Sequence, residues 1–203
     1  DTWIVEQSDR LVAEVTEKLD TYDITGASRA IEQFTIGDFS QWYLRRSRER
    51  FQRPRSLKEK QDAAQTTAYV LDVLCRLSAP FVPFLAEYIY QELRKKTGGK
   101  EISVHVCPWP DRGLKRTSVS GRDDQQSSIA VQMERVRAIV AEALKLRAEA
   151  GMKVRQPLQT LRIPDSTLSP DLLTLVKDEV NVKEVVQGKD LWLDTVLTPA
   201  LKE

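Results

Sequence analysis

The residues best suited to bind a charged ligand are four arginines that follow two aromatic side chains in the stretch WYLRRSRERF, Trp42 to Phe51. Between Trp42 and Lys60 the chain carries eight Lys or Arg residues and two acids, which leaves 23 of its 31 basic and 28 of its 30 acidic residues elsewhere. Such a distribution concentrates a polyanion at one place on a protein whose formal net charge is only +1. The segment therefore indicates a nucleic-acid site.

Arginine suits this chemistry because its planar guanidinium donates paired hydrogen bonds to a phosphate and stacks on bases. Stacking of a base on an aromatic ring contributes roughly 1–3 kcal/mol, so the mixture favours unpaired RNA. Helical spacing puts Trp42 on the same helix face as Ile31, so Trp42 is predicted to lie in the core. Tyr43 is predicted to point away from the core and is therefore the better candidate for stacking on a base. The alternative to RNA binding is that these arginines form a solvated helix end and pair with Glu49. The predicted RNA-binding residues are Tyr43, Arg45, Arg46, Arg48, Arg50 and Arg53.

A second basic stretch is LKLRAEAGMKVRQPL, which contains Lys145, Arg147, Lys153 and Arg155 and a single acid. Gly151 is predicted to end a helix and to expose backbone between that helix and a strand. The weaker RNA-binding candidates of this stretch are Lys153, Arg155 and Gln156. A helix C-terminus whose carbonyls attract cations explains the same residues equally well.

The residue types that carry catalysis or bind metals are scarce. Cys75 and Cys107 are the two cysteines, and His105 is the one histidine. They form neither a CxxC pair nor a disulfide framework, so two reduced thiols are predicted. A zinc site built on His105 and Cys107 would need distant ligands, and no nucleophile elbow accompanies His105. We expect no catalytic residue, metal or cofactor in this chain.

Hydrophobic periodicity predicts mainly helical elements to position these residues. Apolar residues recur at steps of three and four over four segments before Gly98, which is typical of a helical bundle. Pro54 stops the second helix. Because arginines cannot replace core residues without unpaired buried charge, this helix is predicted to run past the bundle.

Beyond a polar, turn-rich linker, KRTSVSGRDDQQSS, the order becomes helix, strand, helix, strand, strand, which predicts a small α+β module. The strand candidates are VRQPLQTLRI, VKEVVQ and DLWLDTVL. The predicted domains are a helical bundle over 1–112, a linker over 113–127 and the α+β module over 128–203. No apolar run approaches the ~20 residues of a membrane span and the start lacks a signal-peptide pattern, so a cytoplasmic location is expected.

Four runs, in this order, resemble the C-terminal half of isoleucyl-tRNA synthetases: AIEQFTIGDFSQWYLRRSRERF, LSAPFVPFLAEYIYQELR, ISVHVCPWPD and ALKLRAEAGMKVRQPL. The resemblance extends over Asp1 to about Leu161, and VKDEVNVKEV continues it. The APFVPFLAEYIY helix is shared with valyl and leucyl enzymes, whereas the pair WYLRRSRERF and KVRQPL is more particular. The resemblance implies a class I synthetase anticodon-binding domain, a helical bundle that grips the anticodon stem and loop of an isoleucine tRNA, followed by a small α+β extension.

The resemblance also implies a parent enzyme that activates isoleucine with ATP and Mg²⁺ and edits misloaded valine in a separate domain. Editing is needed because one methylene group in an apolar pocket separates the binding free energies of isoleucine and valine by only about 1–3 kcal/mol. The family's HIGH signature needs two histidines, and neither it nor a KMSKS-like loop occurs here. We expect a non-catalytic, monomeric fragment whose partners are tRNA and the catalytic domain of the same polypeptide. The alternatives are the corresponding part of a valyl-tRNA synthetase and a helical protein-interaction module.

Overall fold

A computed structural model describes residues 1–110, 129–164 and 168–196. The chain divides into two compact units, 1–121 and 122–203. The first is built from helices and the second combines helices with a small sheet, which confirms the predicted fold class. The predicted linker over 113–127 lies outside the described residues, so the predicted domain bounds stay a prediction.

The helical unit is a bundle in which α1 packs against α2 and α4, and α4 packs against α5. Ile4, Leu11 and Val15 form the buried face of α1, at the spacing that predicts a helix. A π-helix continues α2 without a break and leads directly into α3. The elements are α1 (Thr2–Asp20), α2 (Ile24–Gln33), the π-helix (Phe34–Leu44), α3 (Arg45–Gln52), α4 (Leu57–Ser78), α5 (Pro83–Thr97) and a 3₁₀ turn (Val104–Val106).

The ends of these helices follow local sequence signals. The Asp23 carboxylate accepts a hydrogen bond from the Gly26 N–H at 2.9 Å and caps α2. Pro83 begins α5, where its missing N–H is not needed, and Gly98 ends that helix with a φ of 73°.

Cys75 and Tyr90 belong to a small buried cluster where α4 and α5 meet the 3₁₀ turn. Burial raises the pKa of the Cys75 thiol to about 11 and is also the main reason that the pKa of Tyr90 rises to about 12. Both cysteines are free thiols. Because the thiolate is the reactive form, Cys75 is an inert packing residue at neutral pH.

The second unit places one long helix beside a three-stranded sheet. Its elements are α6 (Ile129–Glu149), β1 (Leu158–Pro164), α7 (Pro170–Val180), β2 (Val182–Gly188) and β3 (Trp192–Leu193). The strand order is β2-β1-β3. β1 and β2 run parallel and are connected through α7, whereas β3 pairs antiparallel with β1. The first strand begins at Leu158, four residues later than the predicted stretch, because a tight turn occupies Lys153 to Gln156.

Candidate nucleic-acid interface

The cationic side chains predicted to bind RNA lie along α3 and the turn that joins it to α4. Arg45, Arg48 and Arg53 are exposed, and Arg46 is half-buried. Arg45 donates its Nε–H to the Gln41 carbonyl at 2.8 Å, which directs its guanidinium back along the helix. Three further cations of the same segment are exposed: Arg55, Lys58 and Lys60.

The π-helix decides which side chains of this stretch face the core. Phe34 and Phe39 are buried five positions apart, and Tyr43 and Ser47 continue the buried row at steps of four. A π-helix closes its hydrogen bonds between residues i and i+5, so each such turn holds one residue more than an α-helical turn. The buried row therefore passes through Tyr43 and not through Trp42, which is half-buried.

The prediction that Tyr43 points away from the core is wrong. Its ring is only 7% exposed and lies parallel to the Phe39 ring, with the two centroids 6.2 Å apart. Its hydroxyl donates a hydrogen bond to Asp1 Oδ1 at 2.8 Å. A ring held in this way offers no open face to a base, so we no longer assign a stacking role to Tyr43.

Arg50 also lies on the bundle side of α3, three residues after Ser47. Its guanidinium makes two hydrogen bonds to the Asp1 carboxylate, of 2.6 Å from Nη1 and 2.7 Å from Nη2. The two side chains are 24% and 30% exposed. Paired bonds of this kind are among the stronger interactions between side chains. Arg50 therefore ties α3 to the start of α1, and the predicted RNA contact is not open to it while the pair is intact.

Replacing Tyr43 with Leu tests its assignment to the core. We expect the free energy of unfolding to fall by about 2 kcal/mol, because the ring contact and the hydrogen bond to Asp1 are both lost. The affinity for tRNA should not change, whereas loss of a stacked base would weaken it by roughly 1–3 kcal/mol. Urea denaturation and a tRNA titration of the same variant measure both quantities. A weakened tRNA affinity in a folded variant would return Tyr43 to the interface.

The turn between α3 and α4 is held by a capping arrangement that sequence reasoning missed. Ser56 Oγ accepts a hydrogen bond from the Glu59 N–H at 3.1 Å, and the Glu59 carboxylate accepts one from the Arg55 N–H at 2.7 Å. The S-x-x-E pattern at Ser56 is the usual sequence signal of such a cap. It would have shown that Arg55 lies on an ordered turn, that Lys58 and Lys60 lie in the capped first turn of α4, and that all three belong with the candidate residues.

The second cluster stands where α6 ends. The Met152 N–H donates to the Arg147 carbonyl at 2.8 Å and the Gly151 N–H to the Ala148 carbonyl at 3.0 Å. With the positive φ of Gly151, 67°, these two bonds form a Schellman motif, so Gly151 ends the helix as predicted. Lys153 and Arg155 beyond it are exposed, and Gln156 is half-buried.

Arg147 differs from the other cations of this cluster because its side chain is fully buried. Its Nη1 donates to the Val180 carbonyl at 3.0 Å, and its Nη2 donates to the Lys153 carbonyl at 2.7 Å and to the Gln156 carbonyl. Burial lowers the pKa of this guanidinium from its ordinary value. Arg147 is therefore a core residue of the second unit and not part of a surface.

Neither a metal centre nor a membrane-spanning helix is found among the described residues. Over 1–110, 129–164 and 168–196, no three or more His, Cys, Asp or Glu side chains come together in a way that could hold a metal ion. In the same ranges, no helix has the length and apolar character needed to cross a membrane.

Exposed arginines along a helix and the turn after it are typical of the class of proteins that bind an RNA through its phosphates. The family model described as the anticodon-binding domain of tRNA ligase matches residues 1–162. The chain belongs to this family.

The named relatives are isoleucine–tRNA ligases. That of Clostridium acetobutylicum is 36% identical over 192 residues, which cover 94% of this chain and 18% of the relative. Those of Thermococcus kodakarensis and Thermus thermophilus are 35% and 34% identical, over 93% and 91% of this chain and 17% and 18% of the relative. The resemblance to the anticodon-binding region of isoleucyl-tRNA synthetases is confirmed. The chain spans less than a fifth of the length of these relatives.

Proposed function

We propose that this chain is the part of an isoleucine–tRNA ligase that binds the anticodon stem and loop of an isoleucine tRNA. The observation that carries the proposal is the exposed arginine surface of α3 and the following turn, on a chain of the anticodon-binding family. Arginines at a helix end can contact successive phosphates of an RNA stem, because each planar guanidinium can donate to two oxygens of one phosphate.

The proposed contacts come from both units. In the helical unit they include Arg48 and Arg53, which are exposed on α3 and at its end. Phosphate contacts of this kind fix the position of the RNA, whereas contacts to base edges decide which sequence is bound. The full set is Arg45, Arg46, Arg48, Arg53, Arg55, Lys58 and Lys60, with Lys153, Arg155 and Gln156 of the second unit as weaker contacts.

The parent enzyme is proposed to charge isoleucine tRNA in the cytoplasm as a monomer, with ATP and Mg²⁺ bound outside this chain. The names of the relatives support the isoleucine reaction. In this proposal the present chain contributes tRNA binding and no catalytic residue. Adenylate formation and the editing of valine belong to other parts of the polypeptide.

The first turns of α5 support a contact with the remainder of that polypeptide. Phe84, Leu85 and Tyr88 are 90%, 56% and 67% exposed, and their spacing puts them on neighbouring positions of the helix. Grouped apolar side chains of this size are typical of a surface that another protein segment covers. We assign this face to the catalytic domain of the same polypeptide.

The test of the proposed function is a titration of the chain with an isoleucine tRNA that carries a fluorescent label, over a series of salt concentrations. A second isoleucine tRNA with a swapped anticodon is the matched ligand, and an unlabelled valine tRNA is the competitor. We expect tighter binding of the unswapped tRNA and a steep loss of affinity as salt rises, because phosphate contacts release counterions.

The other outcomes separate the alternatives. Equal binding of the two isoleucine tRNAs would limit the function to electrostatic RNA binding. If the valine tRNA bound more tightly than the isoleucine tRNA that it displaces, the chain would be part of a valyl-tRNA synthetase. Failure of any tRNA to bind would overturn the proposal and leave a protein-interaction module as the function of this surface.

A further inference from the structure

The loop between α6 and β1 is a tight turn in which the carbonyls of Lys153, Val154 and Gln156 accept hydrogen bonds from buried or neighbouring side chains. The Gln156 N–H donates to the Lys153 carbonyl at 3.0 Å, which closes a turn with Val154 and Arg155 at its two central positions. Lys153, Val154 and Arg155 are all exposed. These three side chains therefore face solvent.

Two side chains from the ends of the neighbouring helices hold those acceptors. Arg147, near the end of α6, donates to the carbonyls of Lys153 and Gln156, and Asn181, just after α7, donates its Nδ2–H to the Val154 carbonyl at 3.0 Å. The Asn181 carbonyl in turn accepts from the Leu158 N–H at 3.1 Å, where β1 begins. The shape of the turn is thus set by contacts from both helices.

The arrangement has an electrostatic consequence. Carbonyl oxygens are the negative ends of the peptide dipoles, and an outward carbonyl would repel a phosphate. With the carbonyls of Lys153, Gln156 and Val154 engaged by Arg147 and Asn181, the outer side of the turn presents the cations Lys153 and Arg155. The fork of Arg147 can reach the carbonyls of Lys153, Gln156 and Val180 together, whereas the single ammonium of a lysine cannot match that geometry.

We infer that Arg147 is a positioning residue, which turns the carbonyls of Lys153 and Gln156 inward and so presents Lys153 and Arg155 as one phosphate-binding turn for tRNA. The inference rests on the proposed function and deepens it. Arg147 itself touches no RNA, because its side chain is fully buried.

The test compares tRNA affinity over a salt series for the unchanged chain and four variants: Arg147→Lys, Asn181→Gly, the double variant Lys153→Ala/Arg155→Ala, and that double variant combined with Arg147→Lys. The double variant should lower the slope of log affinity against log salt by about 1.4–1.8, as two lost phosphate contacts require. We expect Arg147→Lys to lower it by at least half as much, and to add no further loss in the combined variant. Circular dichroism confirms that each variant is folded.

Asn181→Gly perturbs the turn while leaving Arg147 in place. The backbone at Asn181 has a φ of 55°, which glycine adopts readily, so this variant keeps the fold and loses only the bond to Val154. It should lower the slope by a smaller amount in the same direction. Asn181→Gly therefore still tests whether the shape of the turn matters for tRNA binding, even if Arg147→Lys is unfolded.

The remaining outcomes overturn either the inference or the proposed function, and they are distinct. A salt slope that is unchanged in both Arg147→Lys and Asn181→Gly, with only a lower melting temperature, would make Arg147 purely structural. An unchanged slope in the double variant would remove this turn from the interface and leave the arginines of α3 as the binding surface. Absence of tRNA binding by the unchanged chain would overturn the proposed function and, with it, this inference.

Discussion

Replacing Arg48 and Arg53 together with Gln is expected to weaken binding of an isoleucine tRNA by about 10- to 100-fold at physiological salt. Both side chains are exposed on α3 and at its end, where a tRNA backbone can reach them. Because both side chains are solvent-exposed, each lost contact should cost about 0.5–1.5 kcal/mol, or about 1–3 kcal/mol for the pair, and about 1.4 kcal/mol is a tenfold change in affinity. The slope against log salt should fall by about 1.4–1.8. Anisotropy titrations over a salt series measure both quantities.

Arg50→Gln is the matched control, because it removes one positive charge from the same helix. Arg50 is engaged by Asp1, so its replacement should lower the free energy of unfolding by about 1–3 kcal/mol and leave the salt slope unchanged. If Arg50→Gln lost tRNA binding while the Arg48 and Arg53 variant kept it, the interface would lie on the opposite side of α3. No change in either variant would make the exposed arginines a solvated surface.

Replacing Arg147 with Met is expected to have the largest effect on stability. The carbonyls of Val180 and Gln156 would lose the donor that the structure gives them, and that of Lys153 would lose one of two. Each buried acceptor left unpaired costs about 1–3 kcal/mol, so the free energy of unfolding of the second unit should fall by about 3–5 kcal/mol. Hydrogen exchange in β1 and β2 over a urea series measures this unit separately from the bundle.

Lys145→Met is the control for this prediction. It removes the same charge from the same helix, but its side chain is 75% exposed and its ion pair with Glu149 is long, at 3.9 Å. Its effect should stay within about 0.5 kcal/mol, as for most surface replacements. Equal destabilisation by the two variants would mean that net charge, and not the buried hydrogen bonds, accounts for the loss.

Much of the architecture could be predicted from local patterns. The helices of the bundle, the end of α6 at Gly151 and the alternation of helix and strand in the second unit follow from apolar spacing, prolines and glycines. These signals act within a few residues, so they can be read directly from the chain. The strand that was predicted to begin at Val154 is the exception, since the contacts that make a turn there come from Arg147 and Asn181.

The candidate site was predicted as a set of residues, but not as a surface. Every arginine from Arg45 to Arg53 has the same chemistry in the sequence, yet Arg50 binds Asp1 and Arg48 faces solvent. Tyr43 takes the core place that was expected of Trp42, because the π-helix adds a residue to the turn between Phe34 and Phe39. A periodicity argument assumes one helical repeat throughout and cannot detect such an insertion.

The sequence by itself determined the family, the mainly helical fold and the position of the positive charge, because each depends on residue type and local order. Only the tertiary structure decided which cations are exposed. The roles of Arg50 and Arg147 depend on partners that are 49 and 33 residues away in the chain, Asp1 and Val180. A charge can be buried only where such partners meet it, and that meeting is a property of the packed chain.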